Sequence, residues 1–387
     1  MITLIKKLVV NRWFHFILLF GLLFFLSYLS QSQNDFRQRI EFTSFDTLNR
    51  LYPREPMNEA IIIDIDEASL VSLGQWPWPR PVMADLVDRL TDLGVRVISF
   101  DMVFAEPDRT APENLKRIWN VEDEGVLQIL DGLPDHDAEF ARAIAASGRV
   151  VTGFSVARAY ETLRPPEQKA MFLIRKNAQE MMAGRGYTLP GAATNLPIFS
   201  ESAAGNGAFI STPHGDGIIR EIPLILRYID EGRERLYPTL ALETLRVAQN
   251  PKQVVRISTT PAEEKGLIDT ALRVGLGRSV AIPVEADKSF RVYYRDMPRD
   301  MYISAADILD EGKQAELKPR LDGKIAFIGT SAEGLKDIRS TPLNVFIPGV
   351  EVHVNVFEQM VQGLYLLRPD IAVAAEVSFI FWVGIIM

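Results

Sequence analysis

The groups in this sequence best suited to recognition chemistry are a set of carboxylates, two tryptophans and a Gly-Thr-Ser turn. Asp64 and Asp66 close the apolar run Ala60-Ile-Ile-Ile-Asp-Ile-Asp, and Asp101 closes Val95-Arg-Val-Ile-Ser-Phe-Asp. Short β-branched runs of this kind read as buried strands, and ligands of a parallel sheet collect outside its strand carboxyl ends. Asp66, Asp101 and the pair Thr330-Ser331, which follows Lys324-Ile-Ala-Phe-Ile-Gly, are therefore expected at one rim. Gly329-Thr-Ser-Ala332 passes from strand into loop, where successive backbone N–H groups can receive an anion. Trp76-Pro-Trp78-Pro is stiff in φ at alternate positions and presents two flat faces to a rim or partner. Arg80 follows, placed to pair with Asp101 or Glu106, and Asp216-Gly217 builds a turn from which Arg220 can bridge strands.

Each of these groups also has a purely structural use. Asp64, Asp66 and Asp101 can cap helices or neutralise Arg80 and Arg220, and the tryptophans can pack against the sheet end. His353 stands alone on an apolar helix face with Val350, Val354 and Phe357, and reads as a core histidine. His136 and His214 lack companions at ligand spacing, so no metal is expected. The absence of cysteine excludes disulfides, thiolate zinc sites, iron–sulfur clusters and cysteine nucleophiles together. Asp64-x-Asp66 has the spacing of the strand-end aspartates of haloacid-dehalogenase-like phosphatases, where one carboxylate attacks phosphorus beside Mg²⁺. Here Ala68 occupies the position two beyond the second aspartate, and no later Gly-Asp-x-x-x-Asp string supplies metal ligands. With no G-x-S-x-G elbow, Walker loop, kinase signature or H-E-x-x-H either, no catalytic residue and no cofactor are expected.

The elements that must position these groups follow from periodicity. A helix over 34–51 ends at Pro53 and Pro56, and the strand 60–66 comes next. Helix 83–93 closes at Gly94 before strand 95–101, and helix 137–146 closes at Gly148 before strand 150–154. That β-α-β-α-β order is the signature of a parallel sheet covered by helices. Residues 159–190 read as a polar helical insertion, 222–234 as a strand entering a hairpin-like turn, and 239–248 as a helix. Strands near 272–276, 290–294 and 324–330 precede a last helix over 350–362. The fold class predicted is α/β, with a mixed, largely parallel sheet flanked by helices.

Apolar residues concentrate in two further runs, Trp13–Leu29 and Ile371–Met387. The first carries no charge and, at about 1.5 Å per residue, reaches roughly 25 Å as a helix, close to a bilayer's hydrocarbon thickness. Lys6, Lys7 and Arg12 precede it, so the positive-inside rule puts the N-terminus in the cytoplasm and residues 31–370 outside. A cleaved signal peptide is the competing reading, but no clean A-x-A site follows. The second run contains Glu376, which is costly in lipid unless it faces other helices. The expected organisation is a stub and first membrane helix over 1–30, an outside domain over 31–370, and the start of a second membrane helix over 371–387. The whole chain is acidic at net −8, so neither nucleic acid nor anionic lipid suits the outside domain as a partner.

Five strings stand in one order between these runs: Asp64-Ile-Asp66 with Gly74-Gln-Trp76-Pro-Trp78-Pro-Arg80, then Ile98-Ser-Phe-Asp101-Met-Val-Phe-Ala-Glu106, then Asp216-Gly-Ile-Ile-Arg220, then Ile328-Gly-Thr-Ser-Ala-Glu-Gly334-Leu-Lys-Asp337-Ile-Arg339, then Pro348-Gly-Val-Glu-Val-His353. Together they resemble the type-2 CHASE domain, a bacterial extracytoplasmic sensor module, over about residues 35–370. The resemblance implies the sensor region of a homodimeric receptor in the inner membrane. Such a receptor couples a small-molecule or periplasmic-protein signal to a cytoplasmic output, an adenylate/guanylate cyclase first and a histidine or serine/threonine kinase second. A non-signalling envelope scaffold is the rival class. As ligand-binding residues the strings suggest Asp66, Trp76, Trp78, Arg80, Asp101, Glu106, Arg220, Thr330, Ser331 and Asp337. Signalling would then shift the helix over 34–51 relative to the helix over 350–362.

Overall fold

The computed structural model describes residues 19–21, 35–156, 165–182, 186–210, 212–259, 272–277, 280–284, 289–335, 337–343 and 346–366, together with 375, 378, 379 and 382. Two units result. The helix α1 (Asp35–Leu51) belongs to one, while the described residues of Pro53–Thr260 and Thr270–Leu366 form the other.

The second unit is organised on one sheet of β1 (Ala60–Ile65), β2 (Val97–Phe100), β3 (Val150–Val156), β4 (Ala192–Ala193), β5 (Gly205–Phe209), β6 (Tyr302–Ser304) and β7 (Ile325–Thr330). The order is β6-β1-β7-β2-β3-β5 with every neighbour parallel, and β4 runs antiparallel along the last residues of β3. All the parallel strands therefore end at the same edge. Alternation sorts their side chains onto two faces. Ile61, Ile63 and Ile65 pack with Ile98, Phe100, Ala326 and Ile328 under α2 (Glu67–Leu73), α3 (Arg80–Asp92) and α4 (His136–Ser147). Ala60, Ile62, Val97, Ile325 and Phe327 pack on the other side under α5 (Leu240–Gln249) and α6 (Gly349–Gln362). The predicted α/β class and its largely parallel sheet are what the chain forms.

Local chemistry explains the boundaries. Asp135 caps α4 by accepting from the N–H groups of Asp137 and Ala138, and Gly148 ends it at φ +62°. Pro81 occupies the first turn of α3, which begins three residues before the expected start. The hairpin Ile225–Asp230 with Arg233–Pro238 turns at Glu231-Gly232, both with positive φ. The insertion predicted as helical is corrected in part. Phe172–Ile174 is a strand beside Val255–Ile257, as an aromatic and β-branched run favours, and Lys176–Met182 is helical.

The expected bracketing by membrane helices is not supported. Residues 1–18, 22–34, 367–374 and most of 375–387 lie outside the described residues, and among the described residues no helix is long and apolar enough to cross a membrane.

Candidate ligand-binding site

Strand parity fixes which groups meet at the sheet's carboxyl edge. Asp64 shares the face of Ala60 and Ile62, and Asp101 that of Val97 and Ser99, so both point toward α6. Gly329 occupies the same face of β7, and its lack of a side chain lets Val350 of α6 approach: a Cβ there would lie 2.5 Å from Val350 Cβ. The first turns of α6 are thereby laid across the ends of β7 and β2.

A cavity of about 360 Å³ opens between that turn and the ends of β2, β3, β5 and β7. Asp101, Asp337, Arg339, Thr330, Ser155 and His353 supply its polar wall, and Val156, Phe209, Ile210 and Val352 its apolar one. His353 is 5% exposed; its Nε2 lies 3.4 Å from Asp101 Oδ1, while its Nδ1 has no hydrogen-bond partner. Asp337 pairs with Arg339 at 2.5 Å. Burial raises the Asp337 carboxyl above its usual range and the Asp101 charge adds to this, against the pull of Arg339.

The segment carrying Asp337 and Arg339 is held from three sides. Ile338–Ser340 pairs antiparallel with Phe346–Pro348, and the Gly349 N–H donates to the Asp337 carbonyl at 2.8 Å. The third support is the Asp-Gly-Ile-Ile-Arg turn, whose Ile219 N–H donates to the Ser340 carbonyl at 3.0 Å. Arg220 clamps that turn by donating to both Asp216 oxygens, at 3.0 and 2.8 Å, with Gly217 at φ +82°. Arg220 thus clamps its own turn, and it is not among the residues that line the cavity.

Beside the cavity lies a second buried polar group. Asp64 accepts from the Ser331 N–H at 2.9 Å and its hydroxyl at 2.6 Å, and burial pushes its carboxyl up to about 6 despite these bonds. Glu351, bonded to the Tyr302 hydroxyl, is pushed by burial up to about 7. Asp66 has the capping role: it accepts from the Ser69 N–H at 2.8 Å at the start of α2, and from the Ser304 hydroxyl at 2.8 Å.

The remaining expected residues lie under α3 and α4. Trp78 is 1% exposed in the core, donates from Nε1 to the Gly74 carbonyl at 2.8 Å, and meets Trp76 edge-to-face at 5.2 Å. The expected pairing of Arg80 with Asp101 or Glu106 is corrected. Its guanidinium faces Asp137 at 3.4 Å and lies 4.7 Å from the Phe104 ring centroid; from Glu106 it takes only the backbone carbonyl, at 3.0 Å. The reason is steric: Arg80 opens α3, whose side chains belong to the opposite face from Asp101.

Of the ten expected residues, then, Asp101, Thr330 and Asp337 line the cavity, and Ser331 adjoins it through Asp64. Arg339 and His353 were missed as site residues although both lie in the five strings; Ser155, Phe209 and Ile210 carried no signal, since only the order of β3 and β5 brings them in. No group of three or more potential metal ligands occurs among the described residues.

A helix-covered parallel sheet with a polar cavity at its carboxyl edge is the general form of the ligand-binding α/β domain. The chain belongs to the CHASE2 domain family, whose model matches residues 17–387, and CHASE2 is a sensory domain of signalling proteins. Comparison with curated proteins and with solved structures gives no match.

Proposed function

We propose that the chain is the extracytoplasmic sensor region of a bacterial transmembrane receptor, and that the strand-edge cavity is where its signal, a small molecule, is read. The observation that carries this reading is that α6 both walls the cavity, through Gly349, Val352 and His353, and leads through residues 363–366 toward the apolar run at 371–387. A ligand that prefers one seating of α6 biases the segment next in the chain, through its difference in affinity for the two seatings. Asp101, Thr330, Asp337, Arg339 and His353 are the residues in contact with that ligand. The output is an adenylate/guanylate cyclase on the cytoplasmic side, and the receptor is a homodimer. Exposed Ile40, Leu48 and Leu51 on α1 support an apolar dimer surface.

Residues 1–387 hold no cysteine, so a thiol introduced among them is the one such group there and can report placement. Val71, 87% exposed, is a suitable position. Val71→Cys should react with a membrane-impermeant maleimide in intact spheroplasts; labelling only after lysis would overturn the outside location. The cavity is tested by Ser155→Trp in the receptor joined to its output domain. Cyclic-nucleotide synthesis should become insensitive to the signal, with the thermal midpoint retained; an unchanged response would remove the cavity from signalling.

A further inference from the structure

We infer that the cavity takes a small organic molecule through a primary ammonium group. The inference rests on the reading of the cavity as the sensory site and adds its chemistry. Among the described lining residues two carboxylates, Asp101 and Asp337, face a single guanidinium, Arg339. Arg339 is already spent on Asp337 at 2.5 Å, and the ion-pair partner of Asp101 among the described residues is the His353 imidazole, at 3.4 Å. The Asp101 side chain is 5% exposed, which leaves water little access to its carboxyl oxygens. Burial raises the Asp337 carboxyl and the nearness of Asp101 adds to this, against the pull of Arg339 and His353.

His353 supplies the second observation. It is 95% buried by its 5% exposure, lines the cavity, and carries a ring nitrogen without a partner. With Nε2 facing Asp101 at 3.4 Å, Nδ1 is a buried polar atom whose hydrogen-bonding capacity is still open. A ligand that serves the two carboxyl groups of Asp101 and Asp337 together must be rich in donors, and a positive charge complements them. An ammonium has three N–H donors and no acceptor, which matches this set; a carboxylate or phosphate would meet two like charges instead. Bare metal ions do not fit, since no group of three or more ligating side chains occurs among the described residues. The volume of about 360 Å³ and the wall of Val156, Phe209, Ile210 and Val352 call for a carbon skeleton behind the ammonium. A free amine and a zwitterionic amino acid share this ammonium group.

The test is a thermal-shift titration of the whole 387-residue chain in nonionic detergent with four probes on one skeleton. These are 3-methylbutylamine, leucine, 4-methylpentanoate and 3-methylbutanol. Stabilisation by the amine, by leucine or by both, with none from the other two, is the expected result, and which of the two acts separates free amine from amino acid. Asp101→Asn and His353→Ala should each weaken the effective ligand on the order of tenfold or more. His353→Gln, which keeps a polar side chain, should lose less, and all three variants should still unfold cooperatively, each shift being read against that variant's own ligand-free midpoint. Equal stabilisation by 3-methylbutanol or 4-methylpentanoate, or undiminished binding in Asp101→Asn, would overturn the ammonium. If no probe acts while Ser155→Trp still blocks the response, the ammonium fails and the sensory cavity stands. If neither the probes nor Ser155→Trp has an effect, both fail.

Discussion

His353 Nε2 stands 3.4 Å from Asp101 Oδ1, and this contact joins the last helix of the domain to the carboxyl end of its second strand. The two residues come from strings separated by most of the chain, yet both side chains are at most 7% exposed and both line the same cavity. Because α6 also covers β7 through Gly329 and Val350, a change at this contact bears on the whole seating of the helix.

Removing the imidazole should therefore cost stability as well as binding. In His353→Ala the Asp101 carboxylate loses its buried neighbour, and we expect a loss of about 1–3 kcal/mol in urea unfolding without ligand. His353→Gln should recover part of it. An unchanged midpoint in His353→Ala would show that the contact does not hold the helix.

The other end of α6 is fastened by a buried charge group. Glu358 accepts from Arg54 at 3.2 Å and from Arg295 at 2.8 Å on both oxygens, and all three side chains are at most 2% exposed. Burial alone would lower the Arg54 value, and Glu358 opposes that. Glu358→Gln leaves two guanidinium groups around a neutral amide and should destabilise the domain by roughly 3–5 kcal/mol, since breaking a buried pair exposes the uncompensated charge. A shift of the urea midpoint within the error of a surface control such as Glu316→Gln would contradict this.

Much of the scaffold is legible in the sequence because it rests on local rules. The runs at 60–65 and 325–330 are too uniformly apolar for a half-exposed strand, and Gly148 and the carboxylate of Asp135 mark both ends of α4. What no local rule carries is that β7, the last strand of this sheet in chain order, inserts between β1 and β2. That pairing brings Ser331 to Asp64, and the next pairing along brings Asp101 near Asp337. The sequence reading of His353 as a core histidine agrees with its 5% exposure and with its apolar neighbours Val350, Val354 and Phe357, while its polar partner, supplied by a distant strand end, is out of reach for the same reason. Arg80 was misplaced because sequence proximity to Asp101 says nothing about which face of the sheet α3 covers.

The closeness of β7 to α6 can be tested directly. Gly329→Ala places a methyl 2.5 Å from Val350 Cβ, so the helix or the Val350 side chain must move. We expect a loss of about 1–3 kcal/mol from this overpacking. Val350→Ala should be destabilising alone but should partly rescue Gly329→Ala, a coupling visible in a double-mutant cycle. Strict additivity of the two would mean that the strand and the helix do not press on each other at this point.

The buried carboxyls beside the cavity predict how stability depends on pH. Asp64 and Glu351 are raised by burial to about 6 and about 7, from ordinary values near 3.8 and 4.5. A raised carboxyl binds its proton more tightly in the folded state than in the unfolded one, so its contribution is fully present below the unfolded value and is lost as pH climbs through the folded value. Unfolding free energy should accordingly fall between about pH 4 and pH 7, each group adding a slope approaching 1.4 kcal/mol per pH unit at most where the two states differ by a full proton. Asp66, Asp108 and Asp216 are shifted downward instead, and their stabilisation is lost only as pH falls below the ordinary carboxylate range, outside this window. Asp64→Asn and Glu351→Gln mimic the protonated forms, and each should flatten the fall. A stability profile that rises from pH 4 to 7, or one that the two substitutions leave unaltered, would show that both carboxyls are ionised in the folded protein throughout.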